Sequence, residues 1–272
     1  MAKLKEIVYI VGVVLVFVVL SLVLGLSGTK NVDYRYVMLE VNPKVEFLTD
    51  KNDMVVSVYA INNEAKELLA GENFVGEKVC DAATKFVDLC VKANYIDVDR
   101  DDNAIKLNTV SGLMHGLDIN VFKNLTKYIK GNQIKCVIVE NQNDLNQFKQ
   151  AKEVGVGTKK YSLIKAVTRF EPNLSVEQAK DLSEKDLMDR IYMAHKNLKQ
   201  TFTQEDFANK TKLIDFNRSK INNHNSNMTD NTISKFKDDY KEYEISMQKK
   251  FEKDFDGQSA KWKENKLNEY YA

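Results

Sequence analysis

The pattern of hydrophobic and polar positions divides the chain into three parts. Residues 7–26 form an apolar run without a charged residue. Residues 31–198 contain short apolar segments separated by polar turns and by stretches with helical periodicity. In residues 199–272, apolar residues recur every three or four positions among Lys, Asp and Glu. These patterns predict a transmembrane helix, a folded domain and an amphipathic helical tail.

The apolar run at residues 7–26 is about as long as a helix needs to be to span a bilayer. Lys3 and Lys5 precede it, and positive residues favour the cytoplasmic side of a membrane. A cleaved signal peptide usually has a shorter apolar core, roughly 7–15 residues, followed by small residues. We therefore predict an uncleaved single-pass anchor in the cell membrane, with residues 1–6 cytoplasmic and the bulk of the chain extracytoplasmic.

The beginning of the predicted domain has the character of β-strands. Residues 34–41 alternate between apolar and polar side chains, and residues 45–48 and 54–61 resume the extended pattern after interruptions. A polar turn at residues 50–53 separates the last two segments. Pro43 cannot donate a ladder hydrogen bond, so it indicates an edge, a bulge or a strand break. The segments predict an antiparallel hairpin or a three-strand meander.

Helical periodicity dominates the remainder of the domain. We predict helices at residues 63–69, 77–93, 120–129, 145–154 and 161–170, and strands at residues 105–110 and 134–139. Capping-box sequences that begin at Ser175 and Ser183 predict further helices ending near Leu198. Because strands and helices mix without strict alternation, the predicted fold class is α+β.

The tail at residues 199–272 predicts amphipathic helices, with a polar breaker at residues 222–227. One apolar helical face is formed by Ile233, Phe236, Tyr240, Tyr243, Met247, Phe251 and Phe255. Two roles remain open for this face. It packs on the domain or on a neighbouring helix, or it binds a partner protein.

Charge and cysteine content give no support for a nucleic-acid-binding protein or for a cysteine metal site. The chain has 40 Lys and Arg against 39 Asp and Glu, so its balance gives no argument for nucleic-acid binding. Cys80, Cys90 and Cys136 are odd in number and lack metal-type spacing. We expect buried free thiols.

No cofactor or metal site is predicted. Residues 97–103 resemble a calcium loop, but Asp102 and Asn108 occupy the positions where the loop needs glycine and glutamate. The sequence has no glycine-rich phosphate loop and no nucleophile elbow. The histidines are scattered, at His115, His195 and His224. We expect no enzymatic activity apart from an intramolecular self-cleavage.

The candidate site of that cleavage is the bond between Asn42 and Pro43. Proline has no N–H, which closes the usual attack of the following backbone nitrogen on the asparagine side chain. The Asn42 amide nitrogen can instead attack its own main-chain carbonyl, releasing Pro43 as a new amino terminus. This reaction needs a held side chain, strain and a stabilised oxyanion.

Two acidic residues are candidates for moving protons in this reaction, and one alternative to cleavage stays open. Glu40 and Glu46 are candidate proton handlers, although strand alternation is equally consistent with a solvated face for both. From residue types alone, Asn42-Pro43 is also consistent with an ordinary turn dipeptide.

The same residues resemble a known family. The extracytoplasmic domain of RsgI-type anti-sigma factors of Gram-positive bacteria is similar to two blocks of this chain, within residues 33–191. The first block comprises residues 36–47, 55–62 and 65–69, and the second comprises residues 157–164, 171–178 and 182–187.

This resemblance implies a membrane-anchored regulator of signal transduction. In the family, a cytoplasmic domain holds a sigma factor, and the domain outside the membrane cleaves itself at Asn-Pro while its halves stay associated. Regulated proteolysis then frees the sigma factor. A sensing or carbohydrate-binding module often follows.

The sequence departs from this family pattern in three places. The predicted cytoplasmic end, residues 1–6, is too short for an anti-sigma domain, so direct sigma-factor binding is not expected. Lys44 follows the proline where a small residue is usual, and this argues against efficient cleavage. The tail contains only Trp262 and lacks the tryptophan-rich pattern of carbohydrate-binding modules.

Two hypotheses follow from the sequence. The first is an anchored signalling protein that cleaves itself at Asn42-Pro43. The second is a non-cleaving interaction protein of the cell envelope. In both, the expected partners are the membrane and a protein of the membrane or the envelope.

Overall fold

The computed structural model describes residues 33–111, 116–140 and 145–251. The predicted transmembrane helix and the end of the predicted tail, from residue 252, lie outside these ranges. Within the described ranges, none of the helices combines the length and the apolar character needed to cross a membrane.

One five-stranded sheet organises the described residues, and its spatial order is β3-β2-β1-β4-β5. The strands are β1 (Arg35–Glu40), β2 (Lys44–Thr49), β3 (Val55–Ala60), β4 (Asn103–Val110) and β5 (Cys136–Glu140). Neighbouring strands are antiparallel, except that β4 and β5 are parallel. The predicted meander of β1 to β3 is therefore confirmed, and Pro43 lies at the break between its first two strands.

Helices follow the strands in the mixed order expected for an α+β fold. They are α1 (Asn63–Leu69), α2 (Val79–Lys92), α3 (Leu117–Gly131), α4 (Leu145–Val154), α5 (Thr158–Phe170), α6 (Val176–Lys180), α7 (Glu184–Asn197), α8 (Gln204–Ser226) and α9 (Asp230–Phe251). The capping boxes at Ser175 and Ser183 are both formed. The predicted fold class, α+β, is confirmed for these residues.

The predicted break between the tail helices is present, but it lies later than residues 222–227. Helix α8 continues through most of this stretch to Ser226, with Asn227 as its cap, and α9 begins at Asp230. Ile221 packs against the core at the start of this stretch. A ring nitrogen of His224 lies 2.7 Å from the carbonyl oxygen of Asn132. These tertiary contacts outweigh the weak helix propensity of the asparagines.

Strand alternation places apolar side chains on both faces of the sheet. On one face, Val37 and Phe47 are fully buried beneath α1, α2 and α3. On the other face, Tyr36, Leu48 and Val110 are buried beneath α5, α6 and α7. A sheet covered on both sides has no solvated face for its polar residues.

The two tail helices pack against the domain. Tyr240 of α9 is only 1% exposed and donates its hydroxyl hydrogen bond to the carbonyl of Cys136 in β5. The hydroxyl of Tyr243 donates to the carbonyl of Asp101 at 2.9 Å. On α8, Lys210 donates to the carbonyl of Ala70 at 2.8 Å. Both helices therefore contribute to the fold of the domain.

Candidate functional site

Asn42 lies at the apex of the turn between β1 and β2. The ladder pairs Glu40 with Lys44, which leaves three residues to reverse the chain. The N–H of Val41 donates to the carbonyl of Pro43 at 3.1 Å. Pro43 has no N–H to return, so one backbone hydrogen bond, rather than two, joins Val41 and Pro43.

The apex of this hairpin is buried. Asn42 is 9% exposed and Val41 is fully buried, and Pro43 is also buried. Connections between strands usually run over the protein surface and are solvated. The bond between Asn42 and Pro43 is therefore screened from bulk water.

Asn62 contacts both sides of this bond. Its side-chain Nδ2 donates to the main-chain carbonyl oxygen of Asn42 at 2.5 Å. Its Oδ1 accepts from the backbone N–H of Lys44 at 2.9 Å. The same oxygen accepts from the N–H of Ala65 at 3.2 Å, which makes Asn62 the N-cap of α1.

Two further contacts fix the position of Asn62. The N–H of Ile61 donates to the carbonyl of Lys44 at 2.8 Å and extends the pairing of β2 with β3. The side chain of Gln200 bonds both backbone groups of Ala60, at 2.8 and 3.0 Å. The end of β3 is thereby held on both sides as it passes into α1.

The solvated-face alternative for Glu40 and Glu46 is wrong. Glu40 is 4% exposed and Glu46 is fully buried, because α5, α6 and α7 cover this face of the sheet. The carboxylate of Glu40 forms an ion pair with Lys44 across the hairpin. This pair is the last of the ladder before the turn and places the Lys44 ammonium beside it.

The carboxylate of Glu46 is surrounded by groups from distant segments. It accepts a hydrogen bond from the Tyr36 hydroxyl at 2.6 Å and from the Arg169 guanidinium at 2.8 Å. The Nε2 of His195 lies 3.4 Å away. The Nδ1 of His195 lies 2.9 Å from the hydroxyl of Ser57. These contacts assign Glu46 to the docking of α5 and α7 on the sheet.

Opposing effects set the protonation of Glu46. Burial pushes the pKa of its carboxyl upward. The hydrogen bond from His195 and the positive charge of Arg169 act in the opposite direction, and the net pKa lies below its ordinary value. Burial and the neighbouring Glu46 carboxylate raise the pKa of the Tyr36 hydroxyl well above its ordinary value. Tyr36 therefore remains a neutral donor to an ionised Glu46.

The other candidate positions are engaged in structural contacts. Asp97 and Asp99 form ion pairs with Lys220, and Asn103 donates to the carbonyls of Asp97 and Arg100. Across the described ranges, His, Cys, Asp and Glu form no group of three or more that could hold a metal ion. The three cysteines are free, with Cys90 and Cys136 buried and Cys80 half-buried.

Sequence reasoning identified Asn42 and Pro43 as candidates and missed the contact with Asn62. It predicted a helix at residues 63–69 and assigned no role to Asn62. One feature of the sequence could have indicated this contact. An asparagine that can cap a helix comes directly after β3, the strand that pairs with β2 of the hairpin. The cluster around Glu46 was also missed, because Arg169 and His195 lie far along the chain.

Comparisons with known proteins agree on a single family. Residues 34–166 match the family described as the anti-sigma factor RsgI-like central domain. The matched region contains β1 to β5, the Asn42-Pro43 turn and Asn62.

Relatives from Acetivibrio thermocellus carry the same family name. Anti-sigma-I factor RsgI7 is 26% identical over 156 residues, covering 56% of this chain and 28% of the relative. Anti-sigma-I factor RsgI6 is 21% identical over 208 residues, covering 72% of this chain and 27% of the relative. Anti-sigma-I factor RsgI5 is 23% identical over 180 residues, covering 62% and 37%.

The chain thus spans well under two thirds of the length of these relatives. Its match to the family centres on the sheet and the turn described above, and it includes the segment that carries Asn42, Pro43 and Asn62. The comparisons support an RsgI-type family member, in which residues 34–166 match the RsgI-like central domain.

Proposed function

We propose that this protein is a membrane-anchored, extracytoplasmic signalling protein of the RsgI type whose domain cleaves its own Asn42-Pro43 bond. The observation that supports cleavage best is the hydrogen bond from Asn62 to the carbonyl of that bond. An ordinary surface turn has no need for a side-chain donor fixed on this oxygen.

The proposed reaction is an intramolecular displacement. The side-chain nitrogen of Asn42 attacks the main-chain carbonyl carbon of the same residue, and the carbonyl oxygen becomes an oxyanion. The bond to the Pro43 nitrogen then breaks, and a proton lost by the attacking amide passes to that nitrogen. The products are a cyclic imide at Asn42 and a free amine at Pro43, so no atom is gained or lost.

Burial and fixed geometry favour this step. The screened apex limits competing hydrolysis and strengthens a hydrogen bond to developing negative charge. Because the nucleophile and the carbonyl belong to one residue, the reaction needs no encounter between molecules. The Lys44 side chain is drawn into an ion pair with Glu40, which argues that this unusual residue is accommodated beside the turn.

Cleavage would change how the domain is joined to the proposed anchor. The anchor side would end with β1, which pairs with both β2 and β4. A covalent tether would become a strand held by hydrogen bonds and packing. Removal of that strand by force or proteolysis would then carry the signal to a protein partner in the membrane or envelope.

Electrophoresis under denaturing conditions tests the cleavage directly. We expect a fragment of residues 1–42 and a fragment of residues 43–272 that begins at Pro43. Before the imide opens, the two masses should sum to that of the intact chain, and imide hydrolysis should then add one water.

Substitution distinguishes self-cleavage from contaminating proteases. Asn42→Ala should abolish both fragments because it removes the nucleophile. Asn223→Ala is the matched control, since Asn223 is exposed on α8, and it should cleave like the unaltered protein. A single intact band from the unaltered protein would overturn the proposal.

A second candidate function is partner binding without cleavage. It is favoured by one exposed apolar surface on α8, where Phe216 is 83% exposed and Phe207 is 40% exposed. Phe216→Ser should then reduce crosslinking to an envelope protein from a crosslinker placed on α8, without loss of stability. Unchanged crosslinking would argue against this role for α8.

A further inference from the structure

We propose that Asn62 is a catalytic residue of the self-cleavage, whose side-chain N–H stabilises the oxyanion that forms on the Asn42 carbonyl. This inference rests on the proposed function, because it assigns a residue to that reaction. It goes beyond it by assigning the hydrogen-bond donor for the oxyanion to the connection between β3 and α1, 20 residues from Asn42.

The contact has the geometry of a one-donor oxyanion hole. The Nδ2 of Asn62 lies 2.5 Å from the oxygen on which negative charge would develop. A donor already aimed at that oxygen requires no reorganisation during the reaction, and its hydrogen bond strengthens as charge accumulates. The low exposure of Asn42, 9%, keeps water from competing for the same oxygen.

The hydrogen-bond network fixes which end of the Asn62 amide faces the reacting carbonyl. The Oδ1 atom accepts from two backbone donors, Lys44 and Ala65. Reversing the amide would place oxygen against the Asn42 carbonyl and nitrogen against both N–H groups. All three contacts would then be lost, so the nitrogen must point to the carbonyl.

Asn62 also holds the leaving side of the bond. Its Oδ1 bonds the N–H of Lys44, the residue that follows Pro43. One side chain thereby fixes the carbonyl before the bond and the backbone after it. Helix α1 in turn anchors Asn62 as its N-cap, so the sheet and a helix together position the donor.

The competing explanation is that Asn62 serves only as a helix cap. Asn62→Asp separates the two roles, since aspartate is an equally good N-cap and keeps acceptor oxygens for Lys44 and Ala65. It lacks the N–H donor. We expect the cleavage rate of Asn62→Asp at neutral pH to fall about 100-fold or more, the usual effect of losing one oxyanion-hole donor.

Acidification gives a signature that a helix cap would not produce. A protonated carboxyl group carries an O–H that can donate to the Asn42 carbonyl. The cleavage rate of Asn62→Asp relative to the unaltered protein should therefore rise as the pH falls through the pKa of the introduced carboxyl. A purely structural role predicts a constant ratio or a decline.

Further variants keep the test interpretable. Ser183→Ala removes the N-cap of α7, where the Ser183 side chain bonds Asp186 of its own helix, and should leave cleavage unchanged. Asn62→Ser keeps a capping oxygen, but the serine side chain is too short for its hydroxyl to reach the Asn42 carbonyl. This variant takes the place of Asn62→Asp if Asn62→Asp fails to fold. Circular dichroism and thermal unfolding establish that each variant is folded.

The outcomes separate this inference from the proposed function. An unaltered protein that stays intact overturns the proposed function itself. If the unaltered protein cleaves and a folded Asn62→Asp or Asn62→Ser variant cleaves at the same rate, only the role of Asn62 is overturned. Loss of cleavage in the folded variant, with recovery of Asn62→Asp at acidic pH, supports it.

Discussion

The carboxylate of Glu46 shows how a single residue ties helices to the sheet. It lies in β2, and its partners belong to β1, α5 and α7. His195 also stacks on Tyr59 of β3, with ring centroids 5.0 Å apart. A buried carboxylate is stable only when such partners offset its desolvation.

Glu46 should make the domain sensitive to acid. Its pKa is lowered in the folded protein, so its contribution to the free energy of unfolding is fully present above the ordinary glutamate pKa. This contribution is lost as pH falls through the lowered folded pKa. Urea unfolding at a series of pH values should therefore show stability declining in this acidic range.

Glu46→Gln should weaken this acid dependence. At neutral pH it should also reduce the free energy of unfolding by about 1–3 kcal/mol. The reason is that the donors Tyr36 and Arg169 lose their charged acceptor. Glu242→Gln is the control, since Glu242 is exposed on α9. An unchanged pH profile in Glu46→Gln would contradict this assignment.

At the residue scale, the sequence could indicate only chemistry that is local. Asn42 and Pro43 are adjacent, so their chemistry can be derived from the dipeptide. Asn62 meets them only because β3 pairs with β2 and then passes directly into α1. The partners of Glu46 lie 123 and 149 residues away along the chain, and no periodicity signals such contacts.

Strand β3 forms one edge of the sheet, and Gln200 covers part of it. The amide of Gln200 bonds both the N–H and the carbonyl of Ala60, as a neighbouring strand would. Gln200→Ala would leave these backbone groups without their partner, at a cost of about 1–3 kcal/mol. Urea unfolding measures this loss.

A neighbouring glutamine provides the matched control for this edge contact. Gln204 is exposed in the first turn of α8, so Gln204→Ala should change stability by less than about 0.5 kcal/mol. Because Ala60 lies two residues before Asn62, Gln200→Ala should also slow the proposed cleavage. Equal stability of the two variants would show that Gln200 does not secure this edge.

Tyr240 is a buried contact between helix α9 and the domain. Tyr240→Ala removes a ring that is 1% exposed, and large-to-small aromatic substitutions cost about 3–5 kcal/mol. Tyr240→Phe keeps the ring and removes only the hydrogen bond to Cys136, at a cost of about 1 kcal/mol. Thermal and urea unfolding of both variants distinguish packing from hydrogen bonding.

At the element scale, hydrophobic periodicity predicted most strands and helices. Its errors lie where polar segments are held by tertiary contacts. Helix α5 begins at Thr158, before its predicted start at residue 161, and the side chain of Gln147 donates to the carbonyl of Thr158 at 3.2 Å in this first turn. The end of α8 is similar, since contacts of Ile221 and His224 keep an asparagine-rich stretch helical.

At the scale of the whole molecule, the order of the strands matters most. Strand β1 comes first in the described domain but lies in the middle of the sheet, between β2 and β4. The pairing of β1 with β4 joins Tyr36 to Val110. Turn chemistry predicts the local pairing of β1 with β2, whereas this distant pairing depends on how α1 and α2 pack and was not predicted.

This central position determines what cleavage would accomplish. Val37 and Leu39 of β1 are fully buried, and burying each such side chain contributes about 1.5–3 kcal/mol. We therefore expect the fragments of a cleaved protein to co-elute on gel filtration in native buffer and to separate in guanidinium chloride. Separation in native buffer would contradict a stable association.

Force should separate the same fragments. Pulling on the amino-terminal end applies force along β1. The hydrogen bonds of β1 to β2 and to β4 share this force and break together. In a cleaved molecule the fragment that contains β1 should then leave, and the tether between the two ends should be lost. In Asn42→Ala the chain remains continuous and should extend to its full unfolded length under the same load. A cleaved protein that also extended to full length would show that the two fragments remain joined, and it would exclude release of β1 as the mechanical signal.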